Sequence, residues 1–212
     1  MLGAKNIPVR GGNRDYTVTV QNTDVLSIDI DLSSPIDMGN LVVKPKQKGE
    51  TTITVKDNVT NETVDLKIKI VDSYLNLKVA HPAQVPYTGG ENLFFINNSD
   101  RDFYLFDEKM EKKECTGNYQ FLIKNSTCYM ILNFDKELND KRTYEYNISN
   151  TSERMFTLIE ILLGIDWNMK ADLINRSTRS ASPVTMNAVD TETNIIQYFV
   201  AGSNDIPENI LD

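Results

Sequence analysis

Hydrophobic and polar residues alternate at period two through much of the first third of the chain. Tyr16, Val18 and Val20 alternate with threonines, Leu26, Ile28, Ile30 and Leu32 with Ser27, Asp29 and Asp31, and Val64, Leu66, Ile68 and Ile70 with Asp65, Lys67 and Lys69. Such alternation buries one face of a strand and wets the other. It predicts strands over Ile7 to Arg10, Asp15 to Val20, Val25 to Leu32, Leu41 to Lys44, Thr51 to Lys56 and Thr63 to Val71. Gly11-Gly12-Asn13, Ser33-Ser34-Pro35, Met38-Gly39-Asn40, Lys48-Gly49 and Asn58 to Asn61 supply turn chemistry between them. Short strands at this spacing, with no helical pattern among them, predict a small β-sandwich over residues 1–72.

The pattern then changes. Residues 73–91 hold His81-Pro82, Val85-Pro86 and Gly89-Gly90, a cluster that reads as a linker or a crossing strand. Beyond Asn92, the segments Leu93 to Ile96, Phe103 to Phe106 and Cys128 to Phe134 are apolar at successive positions, which predicts strands covered on two sides. Tyr119 to Lys124 and Cys128 to Phe134 flank a tight turn at Asn125-Ser126-Thr127. Tyr144, Tyr146 and Ile148 alternate, as do Trp167, Met169, Ala171 and Leu173. Met155, Leu158, Ile159, Leu162 and Leu163 fall at i, i+3, i+4, i+7 and i+8, with Thr151 and Ser152 as caps and Gly164 as a stop. This predicts a helix over 152–163, with a buried strand through Thr157, Ile159, Ile161 and Leu163 as the competing reading. Residues 176–194 read as a loop with a short strand, Ile195 to Val200 as a closing strand, and Ile206 to Leu211 as a turn or tail. The fold class is therefore mainly β: a sandwich over 1–72, then a second antiparallel β domain over 92–212, sandwich or barrel, with one helix.

Val9-Arg10-Gly11-Gly12 leading into Tyr16-Thr17-Val18, then Asn22-Thr23-Asp24-Val25 and Gly49-Glu50-Thr51-Thr52-Ile53-Thr54-Val55, resembles the bacterial immunoglobulin-like family. Members of that family occur in surface lipoproteins and adhesins of Gram-negative gut anaerobes. The resemblance covers the first third. It implies an immunoglobulin-like spacer or binding module of the cell envelope, and it carries over no catalytic residues.

Composition narrows the partners. The formal charge of −8 opposes a phosphate-tracking surface, so nucleic acid is excluded as a partner. Acidity is concentrated late: of 22 Lys/Arg and 30 Asp/Glu, nine and ten lie within residues 1–72. No run of 18 apolar residues occurs, and the first residues lack the pattern of a secretory signal. Membrane attachment is expected only through a lipid anchor upstream of residue 1. Cys115 and Cys128 fall on opposite arms of a hairpin and far apart along it, which predicts two unbridged thiols.

Candidate chemistry is sparse. His81 is the only histidine, so triads and histidine-based zinc sites lack their parts, and no cofactor is expected. Asp29 and Asp31 share a strand face and form a weak calcium candidate, with solvated alternation as the plainer reading. Carboxylates of the second domain, among them Asp102, Asp107 and Asp135, supply the residue type a glycosidase needs. Aromatic residues concentrate there too. Most are expected in the core, and Tyr87, Tyr104 and Trp167 are the candidates for exposed ligand-binding rings. The functional expectation is a non-enzymatic, monomeric, lipoprotein-like binding or adhesion protein of the cell envelope, taking a glycan or protein ligand. A lipocalin-like carrier of a small ligand and a carboxylate-based glycan hydrolase are the alternatives.

Overall fold

A computed structural model describes residues 4–33, 37–167, 184–203, 205–207 and 210–211. The chain divides into two compact units, Met1–Asp72 and Ser73–Asp212. The first contains β1 (Lys5–Val9), β2 (Tyr16–Val20), β3 (Leu26–Asp31), β4 (Gly39–Pro45), β5 (Gly49–Asp57) and β6 (Thr63–Ile70). They form two three-stranded antiparallel sheets, ordered β1-β4-β3 and β2-β5-β6. The alternating apolar side chains meet between the sheets: Leu26, Val43 and Ile53 are buried, and Ile7, Val18, Ile28, Val55, Leu66 and Ile68 pack around them. Asp57, at the end of β5, ties the loops together by accepting the N–H groups of Asn13, Val59 and Thr60.

The second unit contains β7 (Tyr74–Val79), β8 (Asn92–Ile96), β9 (Asp102–Phe106), β10 (Lys113–Lys124), β11 (Thr127–Leu138), β12 (Lys141–Asn147), α1 (Glu153–Leu163), β13 (Thr185–Asp190) and β14 (Ile196–Ala201). The eight strands close into a barrel of antiparallel neighbours in chain order, with β14 paired back to β7. Of the two readings of 73–91, linker or crossing strand, β7 takes Tyr74–Val79 as a strand of the barrel with Leu75, Leu77 and Val79 in its core, and the residues after Val79 form a connection. Proline and glycine in that connection masked the alternation just before it.

The helical reading of 152–163 holds over the competing strand. Ser152 caps α1 by accepting the Met155 N–H at 3.4 Å, and Gly164 stops it at φ 62°. Ile161, which a strand would bury, is 59% exposed. Met155, Phe156, Ile159 and Leu163 join the barrel core, so α1 closes the end at which β7 starts. Ser73 Oγ donates to the Leu162 carbonyl, and Arg101 Nη1 to that of Leu163. This satisfies carbonyls the helix end leaves unpaired.

Aromatic rings run through the barrel interior in contact with one another. Edge-to-face pairs link Phe156 to Trp167 and Trp167 to Phe121. Phe121 meets Phe95, which meets Phe103, and the sequence continues through Phe134, Tyr144 and Tyr146. The sequence-predicted strand through Met169, Ala171 and Leu173 lies outside the described residues, as do residues 176–183 of the expected 176–194 loop. Its last residues belong to β13 and the turn after it. The expected tail ends on buried Ile210 and Leu211.

Candidate functional site

The three ring candidates occupy three separate places, and two of them are buried. Trp167 is 5% exposed because the chain turns back after α1 and its indole N–H donates to the Phe156 carbonyl at 3.2 Å. Tyr87 is 4% exposed because its connection dips into the barrel mouth and sets the ring edge-on to Phe199. Both are corrections to the expectation of exposure: an aromatic residue in an irregular segment can fold back onto a core as readily as one on a strand. Tyr104 is half-buried on the outer wall.

Tyr104 borders a depression of about 330 Å³ built on β9, β10 and β11. Strand register explains its contents. Asn118 lies opposite both Asp102 of β9 and Asn133 of β11, while Thr116 lies opposite Tyr104. The outward positions form two cross-strand rows, Asp102, Asn118 and Asn133 in one and Tyr104, Thr116 and Asp135 in the other. Between the rows runs Gly117, whose own position faces inward against Phe103 and the Asn133 carbonyl.

Each polar group is fixed by its neighbours. Asn118 Nδ2 donates to the Asp100 carbonyl at 2.9 Å and to Asp102 Oδ1 at 3.1 Å. Asn98 Nδ2 donates to the other Asp102 oxygen at 2.7 Å. Thr116 gives its hydroxyl to Asp135 Oδ2 at 2.8 Å and its N–H to Oδ1 at 3.2 Å. Burial pushes the Asp135 pKa up, but the Thr116 hydrogen bonds, together with the N–H and the charge of Lys136, outweigh it and hold the carboxyl below its usual value. Asp135 therefore stays an acceptor at neutral pH. Burial, aided by Asp102, raises the Tyr104 pKa and keeps its hydroxyl a donor. The Lys113 ammonium stands 5.6 Å from the Tyr104 ring centroid. The result is a pre-set array of carboxamide, carboxylate, hydroxyl and aromatic groups on a rigid wall, suited to hydrogen-bonding a polyhydroxylated ligand.

The remaining sequence candidates are engaged otherwise. Asp29 pairs with Lys44 Nζ at 2.5 Å, and Asp31 Oδ1 accepts the Ser33 N–H at 2.9 Å. Among the described residues, no three His, Cys, Asp or Glu side chains gather as metal ligands do. His81 is exposed, with its ring against Gly89. Cys115 and Cys128 are both buried and outside any disulfide. A second depression of about 390 Å³ lies in the sandwich, between edge strands β1 and β6. Ile7, Val9, Leu41, Val55, Val64 and Leu66 make it chiefly aliphatic. Among the described residues, no helix is long and apolar enough to cross a membrane.

Asn118, Asn133 and Gly117 escaped the sequence reading, although a signal for them existed. Lys124 pairs with Thr127 around a two-residue Asn125-Ser126 turn, so residues equidistant from that turn face each other. Counting outward from it reaches Asn118 opposite Asn133. No protein-family model, curated protein or solved structure matches the chain.

Proposed function

We propose that the chain is a non-enzymatic binding protein of the cell envelope, and that its barrel recognises a glycan at the depression beside Tyr104. The observation that carries this reading is the pair of cross-strand rows, which set Tyr104, Asn118, Asn133, Asp102 and Asp135 on adjoining strands of one wall. Sugars present vicinal hydroxyls that both donate and accept, and fixed carboxylate and carboxamide groups answer both needs. Asp135, kept ionised by Thr116, is fitted to accept hydrogen bonds rather than to deliver a proton. That favours binding over hydrolysis. The immunoglobulin-like reading of residues 1–72 gives the first unit the part of a spacer that presents the barrel.

Screening the full chain on a glycan array, with released sugar measured in parallel, tests the reading. A hit should be followed by calorimetry on Tyr104→Ala and Asn118→Ala, each expected to weaken affinity at least ~10-fold, about 1.4 kcal/mol. Unchanged affinity in both variants would remove the depression as the site. Sugar release that depends on Asp102 or Asp135 would make the protein a hydrolase instead.

A further inference from the structure

The two sheets of the first unit end on β1 and β3 in one and on β2 and β6 in the other. β2 and β3 lie against each other, so that side of the sandwich is closed. The other side is open, and the aliphatic depression lies there between β1 and β6. Of these two strands, β1 is blunted, because Pro8 has no N–H to offer a further strand. β6 has no such device. It pairs with β5 over eight residues without a bulge, from Lys56 and Thr63 to Gly49 and Ile70, and it holds no proline. Val64, Leu66, Ile68 and Ile70, all aliphatic, form its inner face. Among the described residues, no strand pairs with its outer edge. Val64 is left 60% exposed beside Leu66 in the depression. An unpaired edge of this length, apolar along one face, is a template for another strand.

The solvent face of β6 indicates which strand that is. Asp65 and Lys67 stand on it with opposite charges, and the Thr54 hydroxyl of β5 donates to Asp65 Oδ1 at 2.6 Å. Lys67 borders a polar depression with Glu50 and Thr52 on the same face. Two copies of β6 laid antiparallel keep their inner faces on one side only when the two-fold axis passes through a residue. Centred on Asp65 or Lys67, the axis sets like charges directly opposite each other, and centred on Ile68 it sets Lys67 opposite Lys69. Centred on Leu66, it sets each Asp65 opposite the Lys67 of the second copy, Leu66 opposite Leu66 and Val64 opposite Ile68. Facing opposite charges stabilise a strand pair, and facing like charges destabilise it. Among the central positions of the strand, Leu66 alone makes β6 complementary to itself.

We propose that β6 is a dimerisation edge, in place of the monomer expected from the sequence: two copies of the chain pair β6 to β6 about a two-fold axis at Leu66, and their β2-β5-β6 sheets join into one sheet of six strands. The pairing satisfies the outer backbone groups of β6 and covers Val64, while two Asp65–Lys67 pairs fix the register. Each dimer carries two barrels. The surface is separate from the depression beside Tyr104, and it stands whether or not that depression binds a glycan.

Sedimentation velocity of the full chain between ~1 and ~100 µM tests this, with a concentration-dependent dimer expected. Asp65→Lys and Lys67→Asp each turn both facing pairs into like charges and should weaken the dimer at least ~10-fold. An equal mixture of the two variants should dimerise again, because each then faces opposite charges in the other. The doubly exchanged chain, Asp65→Lys with Lys67→Asp, should dimerise by itself, and it serves where circular dichroism shows a single variant unfolded. A chain that stays monomeric up to ~100 µM would overturn the proposal. Saturable shifts of the β6 amide signals with a synthetic peptide of alternating valine and threonine would then assign the edge to a foreign strand. A dimer indifferent to both variants would place the interface elsewhere and overturn it too. So would weakening by both variants with recovery neither on mixing nor in the doubly exchanged chain.

Discussion

Gly117→Ala should unfold the barrel far more easily than an added methyl group normally does. A Cβ at Gly117 would stand 2.0 Å from the Asn133 carbonyl oxygen and 2.8 Å from the Phe103 ring. Carbon and carbonyl oxygen come no closer than roughly 3.3 Å between strands, so β10 and β11 would have to separate locally by about 1.3 Å. Ladder hydrogen bonds of about 2.9 Å do not survive that stretch. Losing one or two of them costs about 0.5–1.5 kcal/mol each, and the overpacking against Phe103 adds about 1–3 kcal/mol. The expected loss is therefore about 1.5–6 kcal/mol, or roughly 5–18 °C in the melting midpoint of a unit this size. Trp167 is the only tryptophan and lies in the barrel unit, so its fluorescence follows that unit alone. Gly11→Ala in the sandwich, where an added Cβ meets nothing within 4 Å, should leave that unit's unfolding unmoved when it is followed by circular dichroism. A fall of less than about 2 °C in Gly117→Ala would refute the close approach of the two strands. The same displacement would pull Thr116 and Asn118 out of line with Asp135 and Asn133, so any glycan affinity should fall with stability.

Two other expectations concern titration and reactivity. The Asp57 pKa lies below its ordinary 3.8, through the Thr60 N–H first, with burial opposing and the Val59 and Asn13 bonds assisting. Its contribution to the sandwich is complete above pH 3.8 and vanishes as pH falls through the lower folded value. Wild type and Asp57→Asn should therefore differ in stability at pH 6 and converge below pH 3.8 in acid unfolding followed by circular dichroism. A difference that stays constant down to pH 2, on the order of two units below the ordinary value, would sink the assignment. Burial pushes the Cys115 thiol up to about 11 and raises that of Cys128 as well. Both should resist iodoacetamide in the native protein at pH 8, at least ~100-fold relative to the unfolded chain, and take up two adducts in denaturant. Rapid native labelling of either would contradict its burial.

Local chemistry explains what the sequence made readable. In the first third, each predicted strand overlaps an observed one, because period-two alternation and glycine turns act within a few residues of each other. The helix was readable for the same reason: Ser152, the apolar stripe from Met155 and Gly164 all lie within about four turns. What escaped depended on closure. Whether the second unit was a sandwich or a barrel hinged on β14 returning to β7 across more than 115 intervening residues, a pairing that no local pattern encodes. Tyr87 and Trp167 were misread as exposed because their environment comes from segments distant in sequence. Tyr104, expected as an exposed ligand-binding ring, is half-buried on the outer wall, and the groups that give it chemical company, Asn118 and Asn133, emerged only through strand register.

The closing seam of the barrel has a mechanical consequence. β7 and β14 meet antiparallel over three residue pairs, from Phe199 and Val79 to Ala201 and Leu77, and Gly202 N–H continues the line to the Asn76 carbonyl at 2.8 Å. The chain thus comes into the barrel and leaves it at the same end of this seam. Tension applied between the two points loads the bonds one after another, beginning at Gly202 and Asn76, instead of shearing all of them together. The barrel would yield to pulling by peeling open along a single line, with its other seams still intact.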